Sequence, residues 1–480
     1  MVGNAFFIAS SVPQPSIGQL ADVFGRRWPL IICTALFALG SGLAGGAHNI
    51  SALIAGRTLQ GFGAGGIFVL VYTVVCDIVP LQQRAKYLGL VRVSGAIGVP
   101  LGPVVGGALA SANWRWCFYL TLVTSGLSLV FLVLFLDLSH EKSSWRVTLG
   151  RLDYIGTIFF TGSMTSLLLG LIMGGNEHPW SSAKVVVPIV IGLIGWCVFH
   201  IFESTKFCRE PMVPAYLFSN KTSAAGFFMA FDGALFIFWV TWFLQLYFQG
   251  ILGVRPLTAG VYQLAFSLLL VPSGIIAGVV MEKTGKYRPQ HLVGFSLLSI
   301  GIGLFTLLTK DTPAVAWAWF EIITALGLGV IMTAVLSAIQ AALTEADTAR
   351  STALCTFLRS FGGIWGITVP SIVFNGQVNN YQGRISSTEL RQNLSNGQAY
   401  GFASTGGIQR LSGGLQEEVL GVYTDALKTV WQVALAFALA GFLSALVVKQ
   451  YDMSRKGESK FGLRERDERK VDEEADAQLA

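Results

Sequence analysis

Charge is what this sequence is shortest of. Aspartate, glutamate, lysine and arginine make up 12% of its 480 residues, about half the share of an ordinary soluble domain. A chain so poor in solvating side chains cannot clothe one large water-soluble core, and its repeated apolar runs ask for a bilayer around them. Cysteine is sparse too: Cys33, Cys76, Cys117, Cys197, Cys208 and Cys355 lie scattered in or beside apolar runs with no C-x-x-C pair. That pattern argues against a disulfide framework or a thiolate metal site and for small buried hydrophobes. No phosphate-cradling G-x-x-x-x-G-K-[S/T] loop occurs, so ATP is not the expected energy source and no cofactor or metal is expected. The first charge is Asp22, with no basic region before the apolar start, so no cleavable signal peptide is expected.

What the chain has in quantity is apolar length. Hydrophobic residues reach 53%, with a mean hydropathy of +0.60. Stretches bounded by charge, proline or glycine clusters give thirteen candidate membrane spans: 2–21, 29–47, 50–76, 87–111, 116–137, 154–174, 184–203, 223–248, 258–281, 291–309, 314–340, 351–375 and 427–449. The 55 glycines concentrate inside these spans, which favours close helix packing in lipid. An all-α polytopic membrane protein is the expected fold class.

Lysine and arginine set the expected orientation. One set of alternating loops holds Arg26, Arg27, Arg84, Lys86, Lys142, Arg146, Arg151, Lys206, Arg209, Lys221, Lys283, Lys286, Arg288 and Arg350. The opposite short loops hold Arg115, Lys184, Arg255 and Lys310. The first set is therefore expected in the cytoplasm, together with the C-terminus. The net charge of +6 gathers in these loops and in the tail, which suggests anionic headgroups rather than nucleic acid as the basic partner. Residues 451–480 mix both signs without apolar periodicity and read as a disordered cytoplasmic tail. The polar segment 376–426 falls outside, as a partly ordered cap, and its Asn393-Leu394-Ser395 is a glycosylation sequon on the proper side.

Three motifs carry a resemblance. Gly18, Asp22, Gly25, Arg26 and Arg27 fall in the spacing G-x-L-A-D-x-x-x-G-R-R, between two runs each long enough to cross a bilayer. Arg57, Gln60, Gly61 and Gly63 form R-x-x-Q-G-x-G-A inside an apolar helix, where an arginine is costly and usually faces a wet cavity or a partner. Snorkelling of Arg57 to the outer surface is the competing explanation. Gly89, Gly98, Gly102, Pro103, Gly106 and Gly107 fit G-x8-G-x3-G-P-x2-G-G without a gap. Glycines four apart make one smooth face, and a proline removes backbone bonds and permits a bend.

In order, these resemble the loop signature, the fourth-helix motif and the fifth-helix antiporter motif of the major facilitator superfamily. The wider pattern is similar to its fourteen-helix drug:proton antiporters, above all fungal multidrug and toxin efflux pumps. The resemblance implies two six-helix bundles, here 1–137 and 222–450, joined by a linker, 138–221, that carries two extra helices. Thirteen spans are one short of fourteen, so the first helix is expected to be absent from this chain, or else the protein has thirteen spans and an external N-terminus. The resemblance further implies that Asp22, Arg26 and Asp77 latch the two halves, with solvated anchoring charges as the plainer alternative. It implies proton-coupled export of amphipathic small molecules by a non-enzymatic, monomeric carrier of the plasma membrane, or of the vacuolar membrane. A carrier for basic amino acids or siderophores is the alternative within transport, and a non-transporting sensor or inactive fragment the alternative outside it. In the second half, Gly274, Gly278, Glu282, Lys283, Gly285 and Arg288 repeat the opening loop in degenerate form, as parallel half-repeats would.

Two acids, Asp232 and Glu321, lie inside apolar spans. Desolvation disfavours an ionised carboxylate, so both are candidates for carrying protons or recognising cations. Glu321 lies near the outer end of its span, where an interfacial, solvated position is equally open. The aromatic residues of span 223–248 suit a greasy pocket for planar compounds, although outward packing is the commoner use.

Overall fold

Pro13 and Pro15 interrupt the first apolar run, because neither has an N–H to continue a helical ladder. The computed structural model accordingly divides it into α1 (Val2–Ser11) and α2 (Gln14–Phe24). The structure describes residues 2–84, 86–91, 113–138, 152–174, 178–205, 208, 211–394, 398–404 and 406–453, together with 105 and 109. Helices α3 (Arg27–Gly45), α4 (Ile50–Ile78) and α5 (Arg115–Phe135) complete the first bundle as described, with residues 81–84 and 86–91 also helical. The expected span 87–111 lies almost wholly outside the described residues, and so do Gly98, Gly102, Pro103, Gly106 and Gly107.

Helices α6 (Tyr154–Met173) and α7 (Ala183–Glu203) pack on each other as a pair. Phe160 of α6 sits 5.1 Å from Phe199 of α7 and 5.2 Å from Phe357 of the second half, ring to ring. The second bundle comprises α8 (Lys221–Leu246), α9 (Pro256–Tyr262), α10 (Leu264–Thr284), α11 (Arg288–Phe305), α12 (Ala314–Ala341), α13 (Thr348–Tyr381) and α16 (Gly414–Val447). The expected span 258–281 is therefore also broken, at Gln263. Ten helices among the described residues are long and apolar enough to cross a membrane.

Burial is graded as a bilayer requires. Helix α12 is enclosed along most of its length by α8, α10 and α11. By contrast α5 exposes Val123, Leu127, Phe131, Leu134 and Phe135, and α7 exposes Val187, Ile191, Ile194 and Ile201. Those exposed apolar stripes are the surface that faces lipid. Of the eight aromatic residues of α8, Phe227, Phe236, Trp239 and Phe243 are fully buried, Phe231 and Phe238 are half-buried, and Phe228 and Trp242 are exposed.

Helices α13 and α16 are each 34 residues long, about 50 Å against a hydrocarbon thickness of about 30 Å. Both project past the bundle, and between them the polar segment folds into a cap with α14 (Thr388–Leu394) and α15 (Ala399–Ser404). Ile385, Leu394, Ala399, Ala403 and Ile408 of the cap are buried and continue the hydrophobic core of the second bundle. Tyr423 donates to the Ala399 carbonyl at 2.7 Å and Arg384 meets Asp425 at 2.6 Å, fastening it to α16.

Candidate functional site: the joint between the two halves

Gly25 ends α2 with φ +78°, a backbone angle that side chains other than glycine's rarely adopt. That turn folds the Arg26 guanidinium back toward α2, where Nη1 donates to the Ala21 carbonyl at 2.5 Å. The same guanidinium meets Asp22 Oδ1 at 3.2 Å and Asp77 Oδ2, at the end of α4, at 2.7 Å. Asp22 then presents Oδ2 to Arg350 Nε of α13 at 3.4 Å. Asp77, Arg26, Asp22 and Arg350 thus form a chain of alternating charge that passes from one half into the other. Gly18, one turn earlier, is where α2 and α13 touch, and a Cβ there would collide with Ala353 and crowd the Ala349 carbonyl.

Asp22, Arg26, Asp77, Gly18 and Gly25 therefore gather as the motif implied, but Arg27 does not join them. Its guanidinium turns to the end of α5, 3.5 Å from Asp137 and 3.3 Å from the Val133 carbonyl. Consecutive residues at a helix start point about 100° apart, so Arg26 faces inward when Arg27 faces outward.

The degenerate second-half loop forms a matching joint. Gly285 caps α10 with φ +62°, and Glu282 reaches back to Lys86 of the first half at 3.0 Å. Gln82 donates to the Glu282 carbonyl at 2.6 Å, and buried Arg84 donates to Gln340 of α12 at 2.9 Å. Each acid sits near the end of a helix and binds a cation at the start of a helix in the opposite half. Gly89, the first glycine of the antiporter motif, belongs to the same seam: it lies against α10, where an added Cβ would be 3.7 Å from Ile275 Cα.

The linker is tied into this joint. Met212 Sδ accepts from Ser16 at 3.0 Å, the Asp153 N–H donates to Gln19 at 3.3 Å, and Tyr216 donates to Asp347 at 2.5 Å. Burial and the Asp347 carboxylate push the Tyr216 phenol up. Burial, with Asp153 3.4 Å away, pushes the Cys208 thiol up to about 12, which keeps it protonated and unreactive. Sequence reasoning missed Arg84, Gln340, Asp347 and the pairing of Arg350. Only the positive-inside count marked the two arginines, and nothing local pointed to their partners.

Arg57 lies about 30 Å from Asp77 along α4, at the opposite end of the bundle. Its guanidinium donates to Gln60 at 2.7 Å and lies over the Phe6 ring at 4.3 Å, while Gln60 donates to Ser41 at 2.8 Å. Gly61 packs against the α1 backbone at Phe6, and Gly63 against the α3 backbone at Cys33 and Phe37. The glycines are therefore a packing seam that brings α1 under the arginine. Asp232 of α8 and Glu321 of α12 are both fully buried, which places Glu321 away from a solvated interface. Asp232 faces α11 and α16 at Phe295 and Gly441.

Residues 1–367 match the family model described as Major Facilitator Superfamily. The chain belongs to the major facilitator superfamily. It is a membrane transporter by family, not an enzyme. It is 45% identical over 464 residues to the MFS efflux transporter aclA of Aspergillus oryzae, covering 96% of this chain and 84% of that one. It is 40% identical over 456 residues to the MFS-type efflux transporter ffsH of Aspergillus flavipes, covering 94% of this chain and 81% of that one. The human organic anion transporter MFSD10 shares the superfamily fold with a TM-score of 0.55 at 14% identity, over 91% of this chain and 82% of that one.

Proposed function

We propose that this major facilitator chain exports amphipathic small molecules such as drugs, toxins or secondary metabolites in exchange for protons. The observation that carries the reading is the Asp77–Arg26–Asp22–Arg350 chain, which joins the halves at one end. A carrier that works by rocking two bundles must make such a joint in one state and break it in the other. The relatives named as efflux transporters support outward movement, as does the glycine and proline order of residues 89–107.

Protons are the proposed return cargo. Burying an ionised carboxylate without a counter-charge is costly, so Asp232 and Glu321 suit proton binding, with Arg57 as the cationic member of the coupling set. Half-buried Phe231, Phe361 and Trp365, with Phe231 and Phe361 5.9 Å apart, offer an apolar aromatic surface to planar substrates. In this reading the Arg26 end and the C-terminus face the cytoplasm, the cap faces outside, and the protein works as a monomer in the plasma membrane.

The test is reconstitution in liposomes with a pH-sensitive dye inside. An outward-directed gradient of a planar amphipathic cation should drive protons the opposite way, and the movement should collapse in Asp232→Asn. Substrate movement with no accompanying proton movement refutes exchange. Absence of substrate movement refutes transport of this class.

A further inference from the structure

The break between α9 and α10 is held by two side chains that come from different helices. On one side Gln263 donates from Nε2 to the Thr241 carbonyl of α8 at 3.1 Å and accepts from Gln245 Nε2 at 2.5 Å. Gln249 donates to Gln245 at 2.9 Å, and the cap residue Gln409 donates to the Gln249 carbonyl at 3.0 Å. A continuous polar thread therefore runs from the exposed cap to buried Gln263. On the other side Glu321 of α12 accepts the Phe266 N–H on Oε2 at 3.1 Å. Phe266 lies in the first turn of α10, whose amides have no partner inside their own helix.

Glu321 is fully buried, and its Oε1 has no hydrogen-bond partner among the described residues. Packed on α12, α8 carries Lys221 and Asp232, α10 carries Glu282 and Lys283, and α11 carries Arg288 and His291. Among the described residues none of these forms a hydrogen bond or ion pair with Glu321.

We propose that Glu321 is a proton-binding site that controls the break in helix 256–284. Ionised, the carboxylate takes the Phe266 N–H as a charge-assisted bond and is favoured by the positive end of α10. Protonated, it loses both advantages. The Phe266 amide is then released to the helical ladder, so that Pro256–Tyr262 and Leu264–Thr284 join into one rod. One O–H bond forms on the Glu321 carboxylate with a proton from the surrounding water, and the Phe266 N–H passes from Oε2 to the ladder; the glutamine thread holds the other side of the break. The inference rests on the exchange reading above, because it names where one proton binds and what its arrival moves.

The experiment uses the full chain in lipid nanodiscs, with spin labels at Leu257→Cys and Ile276→Cys, whose parent residues are 79% and 63% exposed. In a continuous helix these positions are about 28 Å apart, and a break alters that distance. Between pH 5 and 8.5 the wild type should exchange two distance populations in a one-proton titration. Glu321→Gln should hold the low-pH population throughout, and Glu321→Asp should still titrate. An invariant wild-type distribution, or a Glu321→Gln chain that still responds to pH, overturns the proposal. If Glu321→Gln fails to fold, the wild-type titration and Glu321→Asp still decide. Liposome proton movement separates the two readings: wild-type exchange with a helix indifferent to pH sinks the hinge alone. A pH-responsive helix without substrate-driven proton movement supports the hinge and sinks the exchange.

Discussion

Asp22→Asn removes one negative charge from a point where two guanidiniums converge, with almost no change in volume. The two contacts differ in meaning. Asp22–Arg26, at 3.2 Å, lies within the first half and persists whichever way the halves tilt, and Arg26 keeps Asp77 at 2.7 Å. Asp22–Arg350, at 3.4 Å, crosses between halves and exists only while that end is closed. Its side chains are 13% and 17% exposed, so it lies between an exposed pair, at most about 1 kcal/mol, and a buried one, whose disruption costs about 3–5 kcal/mol. A loss of about 1.4 kcal/mol from the closed state alone shifts the closed-to-open ratio about tenfold. The assay is alkylation of Ser360→Cys in a background without the six native cysteines. Ser360 meets Gln14 across the halves at 3.1 Å, about 18 Å along α13 from the closed end, so reagent reaches it only when that end opens. Alkylation from the Arg350 side should rise about tenfold in Asp22→Asn, and export should be abolished while membrane insertion stays intact. Unchanged alkylation with normal export refutes the latch.

Lys86→Gln should act more weakly, because the Lys86 and Glu282 side chains are 36% and 23% exposed. Less than about 1 kcal/mol is at stake there, so export should slow without stopping, by a margin that shrinks in high salt. Gly441→Leu should lower thermal stability by about 1–3 kcal/mol or more, since a Cβ there meets Phe295 and comes within 2.5 Å of Asp232 Oδ2; equal melting temperatures would contradict the packing. Asn393 is exposed at the end of α14, so Asn393→Gln should remove a gel-mobility shift in a glycosylating host, provided the cap lies outside. Leucine at Gly102 or Gly106 should block export of every tested compound at normal expression, and undiminished export would end the case for a rocking fifth helix.

Much of the architecture was open to inspection in the linear chain. The all-helical class, the extra pair 154–174 and 184–203 and the cap after span 351–375 follow from where apolar residues run on and where they stop. Glycine and proline spacing located the turn at Gly25 and the seam at Gly61 and Gly63. The breaks at Pro13 and Gln263 were harder to read, because a hydropathy window averages over a local interruption. Pro13 announces its break by the missing N–H, whereas the break at Gln263 depends on side chains of α8 and α12.

What the sequence by itself determined is where the chain must lie in a membrane, because burial of an apolar run is a sum over neighbours in the chain. What only the tertiary structure decided is which charges and polar groups meet. Asp22 and Arg350 are separated by most of the chain, and Lys86 and Glu282 by 196 residues. Arg26 and Arg27 are adjacent, yet one enters the joint and the other leaves it. Glu321 could equally have been interfacial on hydropathy, until α10 closed over it and supplied the Phe266 amide. Electrostatic and hydrogen-bond energies depend on distances of a few ångströms in space, and those distances exist only once the helices have packed.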